Sequence, residues 1–128
     1  MCRVNKVILS PLAVMADGGA ICACGHMRIA AAAMEFSIPV LCIATTYMLT
    51  PIFAHTQDQL LNQLKSPSDI LSYSTDYNVD SMVQVVVPSF DYLPPSNIAI
   101  YVTNNGSYQP SYIYRLLTEC YDPVDYNF

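Results

Sequence analysis

The chain has 128 residues, of which 53% are hydrophobic and 12% charged, and it contains no Trp. That length suits one domain able to bury a core, and the balance excludes a disordered tail, which needs high charge and few apolar side chains. Five basic residues against ten acidic ones give a net charge of −5, split as three positive and two negative over residues 1–36 and two and eight over 37–128. With so few basic residues and no run of them, direct nucleic-acid binding is disfavoured. So little charge also predicts that another chain covers part of the surface.

In chain order, Val4 to Leu9 reads as a strand stopped by Ser10-Pro11. Asp17-Gly18-Gly19 reads as a turn, and Ala20 to Phe36 as a helix of strong helix formers with one wet stripe at Arg28 and Glu35. A helix apolar on its other sides is expected to be buried on both flanks, against its own sheet and against a partner. Ile38 to Ala44 is a continuous apolar run, which suits a parallel strand covered on both faces. Gln57 to Leu64 reads as a short helix, Ser66 to Val79 as a polar loop, Met82 to Val87 as a third strand and Ile98 to Thr103 as a fourth. Pro94-Pro95 forces a turn between the last two, and Asn104-Asn105-Gly106 makes a tight turn. A last helix runs from Pro110 to Tyr121, with Ile113, Leu116, Leu117 and Cys120 as its core stripe.

Strands alternating with helices predict a single α/β domain over 1–128. A central-type strand so near Met1 makes it read as the C-terminal part of a doubly wound, largely parallel, Rossmann-like sheet with flanking helices, truncated at its N-terminus. The stretch from Phe36 to Gln57 has no charged side chain, but Pro39, Pro51 and three Thr interrupt it, so a membrane span is not expected. Five cysteines at irregular spacing, without a secretory leader, point to a reducing cytosol instead of a disulfide scaffold.

Several groups of residues could carry chemistry. Gly18 and Gly19 before the helix, with Gly25, could present amides to an anion, although Asp17 would repel one. Cys22, Cys24 and His26 lack the spacing and the second pair that a metal site needs. His55 and Asp58 could form an acid–base pair, but no nucleophile lies near them in sequence. Neither a metal nor a cofactor is expected. Tyr112, Arg115 and Glu119 fall on one helical face opposite the core stripe, where Arg115 can stack on Tyr112 and pair with Glu119. Tyr and Arg together are what protein interfaces enrich.

The run Asn104-Asn105-Gly106-Ser107-Tyr108-Gln109-Pro110-Ser111-Tyr112-Ile113-Tyr114-Arg115-Leu116-Leu117, followed by Tyr121-Asp122-Pro123, resembles the C-terminal signature of the translation initiation factor 2B regulatory-subunit family, in its beta branch. Phe90-Asp91-Tyr92-Leu93-Pro94-Pro95, the strand and turn from Arg3 to Gly25, and Tyr47-Met48-Leu49-Thr50-Pro51 match the same family in the right order. The resemblance implies a non-catalytic regulatory and assembly subunit of a cytosolic guanine-nucleotide exchange factor for initiation factor 2. Its partners would be the alpha and delta regulatory subunits, the gamma and epsilon catalytic subunits and initiation factor 2, with no direct nucleic acid and no membrane. Asn104, Gly106, Tyr112, Tyr114 and Arg115 are then expected at a subunit interface. Gly18, Gly19 and Gly25 would be a vestige of an anion loop.

The same superfamily holds sugar-phosphate isomerases such as methylthioribose-1-phosphate isomerase, the alternative reading. Those enzymes carry an acidic residue where this chain has Leu12, and an Asn-Lys pair where it has Cys22-Ala23. Isomerisation needs a carboxylate to move a proton, so the non-enzymatic branch is the expectation.

Overall fold

Short β-branched and aliphatic runs build a four-stranded sheet from β1 (Val7–Leu9), β4 (Val40–Ile43), β6 (Ile100–Thr103) and β7 (Gly106–Tyr108), in the order β1-β4-β6-β7. The computed structural model describes residues 3–53, 63–70 and 85–122. β1, β4 and β6 are mutually parallel, and β7 turns back antiparallel on β6 through the Asn104-Asn105-Gly106 turn. A second, antiparallel sheet joins β2 (Ala13–Val14), β3 (Ala20–Ala23) and β5 (Phe90–Leu93) in that order. Among the described residues the α-helices are α1 (His26–Glu35) and α2 (Ile113–Cys120), the latter led in by a 3-10 turn at Pro110–Tyr112. The largely parallel sheet with flanking helices expected from the sequence is present.

One core lies between these layers. Val7, Leu9, Val40, Cys42 and Tyr101 from one face of the four-stranded sheet meet Val14, Ala20 and Cys22 of the hairpin, Leu93, Ala30 and Ala33 of α1, and Ile113, Leu116 and Leu117 of α2. Burial lifts the Cys42 thiol to about 12, with Cys22 adding to the effect. The Cys22 thiol rises to about 11, mostly by burial and partly from the Asp91 charge.

Three expectations are corrected. The helix expected over Ala20–Phe36 starts only at His26, because Ala20–Ala23 is the central strand of the antiparallel sheet, with Ala20 opposite Leu93 and Ile21 opposite Tyr92. Pairing to residues far along the chain overrides the helical preference of alanine. Gly25, at φ +101°, then starts the helix in a backbone state that side-chain-bearing residues resist. Within this chain the helix buries the side at Ala30 and Ala33, and Ile29, Met34 and Phe36 are exposed together with Arg28 and Glu35 on the flank expected against a partner. β4 is likewise covered on one face, with Cys42 buried and Ile43 half exposed.

Residues 85–87 are not a strand, and the strand before Pro94-Pro95 is instead Phe90–Leu93. The rest of the strand expected at Met82–Val87, most of the helix at Gln57–Leu64, and His55 with Asp58 lie outside the described residues. Within the expected polar loop, Pro67–Asp69 forms a 3-10 turn whose preceding Ser66 hydroxyl accepts from the Ser68 amide. Among the described residues no helix is long and apolar enough to cross a membrane.

Candidate functional site: the tyrosine–arginine face of the C-terminal helix

The glycine turn comes first, because it is where an anion would be held. Asp17-Gly18-Gly19 closes the β2–β3 hairpin, and its carboxylate and glycine backbone groups bond within the chain. The Gly19 amide donates to Asp17 Oδ1 at 2.8 Å, and the Tyr92 hydroxyl donates to Asp17 Oδ2 at 2.7 Å. The Gly18 carbonyl accepts from the buried Tyr101 hydroxyl at 2.8 Å. Burial first, then the Asp17 hydrogen bond and charge, push the Tyr92 phenol upward. Gly18 has φ +82°, and a Cβ there would press on the Pro110 carbonyl, which leads directly into α2. The turn therefore braces the C-terminal helix.

Gly25 sits apart from Gly18 and Gly19, at the start of α1. There the Asp91 carboxylate accepts from the Gly25 amide at 2.6 Å and from the Met27 amide at 3.3 Å. An anion at a helix N-terminus is what free amides and the helix dipole favour, and this chain supplies its own from β5. Nearby, Cys22 is buried and Cys24 exposed, and His26 Nδ1 lies 2.8 Å from the Ala23 carbonyl. Leu12 is 54% exposed at the foot of the hairpin, its amide donating to the Ile21 carbonyl at 2.7 Å. Among the described residues no group of three or more His, Cys, Asp or Glu could hold a metal.

The outward-facing chemistry is on α2. The 3-10 turn at Pro110–Tyr112 sets Tyr112 against Tyr108 of β7, the rings stacked nearly parallel (6°) with centres 5.4 Å apart. The Arg115 guanidinium lies over the other part of this stack, 5.5 Å from the Tyr112 ring centre. Arg115 Nε donates to Glu119 Oε1 at 2.9 Å, and the Tyr112 hydroxyl donates to the same oxygen at 3.4 Å. That hydrogen bond, the nearby Tyr112 and the Glu119 charge raise the Arg115 pKa. The result is a surface ladder in which two half-buried rings, packed on the core, and an exposed planar guanidinium are held in one orientation, with little rotamer freedom left to lose on contact.

The other expected interface residues fall in two places. Tyr114 points away from the ladder and packs on Phe53, ring centres 6.0 Å apart, beside an apolar hollow of about 250 Å³ bordered by Ala16, Pro51, Ile52, Leu117 and Thr118. Asn104 and Gly106 shape the β6–β7 turn, where the Thr103 hydroxyl donates to the Gly106 carbonyl at 2.8 Å. Asn104 Oδ1 accepts from the Thr46 amide at 3.2 Å, and the Tyr121 hydroxyl donates to the Thr46 carbonyl at 3.1 Å. Thr46 thus ties the turn to the end of α2. Sequence spacing brought Tyr112, Arg115 and Glu119 together, as the structure does. It missed Tyr108, which ends strand β7 before the helix begins, and Phe53 and Asp91, which only the tertiary fold brings near.

The described fold is an α/β domain with a largely parallel, Rossmann-like sheet and flanking helices, carrying an aromatic–cationic face on its last helix. The comparisons with known proteins then settle the kinship. The chain belongs to the initiation factor 2 subunit family, whose model matches residues 1–110. It is 41% identical over 125 residues to the translation initiation factor eIF2B subunit beta of Dictyostelium discoideum, covering 98% of this chain and 32% of that protein. To the eIF2B subunit beta of Schizosaccharomyces pombe it is 35% identical over 125 residues, covering 98% and 31%. The chain thus spans about a third of the length of the curated relatives it matches.

Among solved structures, eIF2B beta from Chaetomium thermophilum matches at a TM-score of 0.70 and 24% identity, covering 98% of this chain and 31% of that one. The tetrameric eIF2B-beta2-delta2 complex from C. thermophilum matches at 0.62 and 27% identity, covering 94% and 32%. The 5-methylthioribose 1-phosphate isomerase from Pyrococcus horikoshii matches at 0.71 with 22% identity, covering 91% and 32%, and shares the fold.

Proposed function

We propose that the chain acts as the C-terminal, non-catalytic assembly and regulatory part of a beta-type subunit in the cytosolic guanine-nucleotide exchange factor for initiation factor 2. The observation that carries this reading is the surface ladder of half-buried Tyr108 and Tyr112 with exposed Arg115 and Glu119, on a chain 41% identical to a beta subunit. Tyr and Arg side chains with little entropy to lose are the usual anchors of interfaces. The delta subunit is the foremost partner, since the Chaetomium thermophilum complex pairs beta with delta. The alpha, gamma and epsilon subunits and initiation factor 2 itself complete the proposed assembly. Asn104 and Gly106 hold the turn beside the ladder, and Tyr114 offers a second contact next to the Phe53 hollow.

The isomerase alternative fits the site poorly. Leu12 stands where those enzymes carry an acid, and its side chain can neither take nor give a proton. Ala23 replaces the lysine that would balance phosphate, and the helix amides nearby already hold Asp91. The Cys22 thiol, buried and raised to about 11, stays protonated at neutral pH and is a poor nucleophile.

The test is co-purification with a delta subunit. Arg115→Ala is expected to leave the fold intact and to lower recovery roughly tenfold, the size of a lost interface anchor. Unchanged recovery sinks the interface assignment. A ribose-1-phosphate analogue is expected to leave the melting temperature unmoved, whereas stabilisation by it would favour the isomerase reading, because a ligand of the native state must raise that temperature.

A further inference from the structure

Two places in the chain set a glycine directly after an Asp or an Asn: Asp17-Gly18 and Asn105-Gly106. No other Asp or Asn is followed by Gly. At such a pair the glycine nitrogen, unshielded by a side chain, can close on the preceding side-chain carbonyl carbon and form a cyclic imide. The fold treats the two places in opposite ways.

At Asp17-Gly18 the closure is blocked. Both carboxylate oxygens are held, Oδ1 by the Gly19 amide at 2.8 Å and Oδ2 by the Tyr92 hydroxyl at 2.7 Å. Gly18 is buried, and its amide donates to the Met15 carbonyl at 3.0 Å. An ionised carboxylate also resists attack by a nucleophile. At Asn105-Gly106 the same parts lie in the open. Asn104, Asn105 and Gly106 are all exposed and close the β6–β7 hairpin on the outer strand of the four-stranded sheet. Gly106 pairs with Thr103 as the terminal pair of that hairpin, where pairing opens most readily. The Thr46 amide donates to Asn104 Oδ1 at 3.2 Å, which fixes the Asn104 carboxamide. Its Nδ2 then donates to Asn105 Oδ1 at 3.3 Å. A donor aimed at that oxygen stabilises the negative charge that develops on it as the carbonyl carbon is attacked.

We infer that Asn105 is a site of spontaneous deamidation, that Asn104 is a positioning residue which speeds it, and that the product loosens Tyr108 beneath the tyrosine–arginine ladder. The Gly106 nitrogen bonds to Asn105 Cγ and gives up its proton, and the side-chain nitrogen leaves with that proton as ammonia. Water then opens the imide. Cleavage at the side-chain carbonyl leaves aspartate, and cleavage at the main-chain carbonyl leaves isoaspartate, whose chain runs through Cβ and Cγ. No electrons are exchanged, and water is the co-reactant. Isoaspartate adds a carbon to the main chain of a tight turn. It also turns the Asn105 carbonyl, which accepts from the Tyr108 hydroxyl at 3.4 Å, into part of a free carboxylate. Tyr108 stacks on Tyr112, so the change reaches the ladder.

The experiment ages the full chain in neutral buffer, folded and in unfolding urea, and maps deamidation and isoaspartate by peptide mass and enzymatic methylation. Folded, the chain is expected to accumulate isoaspartate at position 105 and not at position 17. Asn105→Gln, whose longer side chain closes a larger ring poorly, is expected to accumulate none. Asn104→Ala is expected to slow conversion of the folded chain by about threefold to tenfold, the worth of one hydrogen bond, and to match the parent in urea, where the turn is gone. Amide exchange at Tyr108 should quicken in the aged parent and not in aged Asn105→Gln. Every readout uses this chain alone and is independent of the delta-subunit reading. The inference is overturned by an Asn105 that stays intact while folded, or by equal conversion at positions 17 and 105. It is equally overturned by an Asn104→Ala chain that converts as fast as the parent, or by exchange at Tyr108 that ageing leaves unchanged.

Discussion

The hairpin tip at Asp17–Gly19 and the helix face at Tyr112–Glu119 use the same parts: a carboxylate that accepts from a tyrosine hydroxyl and from one nitrogen donor. At the tip, Asp17 accepts from Tyr92 and the Gly19 amide, and the turn is wedged between Tyr101 and Pro110. On the helix, Glu119 accepts from Tyr112 and Arg115 in the open. The first arrangement is folded inward and contributes to stability; the second lies at the surface, where its pairings are screened and, on the function proposed above, its rigidity serves a partner. Position, and not chemistry, separates a brace from the proposed docking face. Variants should therefore divide into those that unfold the chain and those that only disconnect it.

The largest effect is expected at Gly18. Gly18→Ala forces a side chain into a backbone state near φ +82° and against the Pro110 carbonyl. Strain and overpacking together should cost about 3 kcal/mol, read as a lower urea midpoint at unchanged slope. A change below about 0.5 kcal/mol would show that the tip is not a brace.

Tyr101→Phe comes next. It leaves the ring in the core and strips the Gly18 carbonyl of its buried donor, for about 1–2 kcal/mol. The same region sets a pH limit. Burial, followed by the charges of Cys42, Cys22, Asp17 and Tyr92, pushes the Tyr101 phenol up, and Cys22 and Cys42 rise to about 11 and about 12. The native state thus keeps protons that the unfolded chain releases above about pH 9. Stability is full below that pH and falls as pH rises toward about 12, so the slope is negative. Urea unfolding between about pH 8 and pH 10.5 should show this decline, made shallower by Tyr101→Phe.

Asp91→Ala should cost about 1 kcal/mol, as the loss of a helix N-cap does. Amide exchange should quicken at Gly25 and Met27 first, since they lose their acceptor. Uniform quickening across β5 instead would mean that Asp91 holds the strand and not the helix.

These residues also show what the chain discloses by itself. Helical spacing reveals Tyr112, Arg115 and Glu119, because neighbours three, four and seven apart share a face whatever the rest of the fold does. The apolar run at β4 and the stripe at Ile113, Leu116 and Leu117 were legible for the same local reason. Ala20–Ala23 was not: four small residues before an alanine-rich helix look helical until β5, seventy residues on, pairs with them. Asp91 as a cap and Phe53 beneath Tyr114 are likewise products of distant pairing, with no local pattern to announce them. The bare face of β4 was misread for a different reason. A continuous apolar run tells that both faces want cover and is silent on whether these residues supply it.

The smallest expected effect on stability is at Glu119. Arg115 precedes Glu119 by one helical turn, the less favourable order for an ion pair, and the side chains are 71% and 49% exposed. Glu119→Gln should leave the urea midpoint unchanged at any salt concentration, since there is little to screen. The carboxylate does, however, fix the guanidinium over the Tyr112 ring, and an amide holds it less firmly. Recovery of the delta subunit with Glu119→Gln should then fall between that of the parent and that of Arg115→Ala. A variant that lost stability while keeping its partner would reverse the contrast, placing the brace on the helix face and leaving the docking contact to Tyr114 and the hollow beside Phe53.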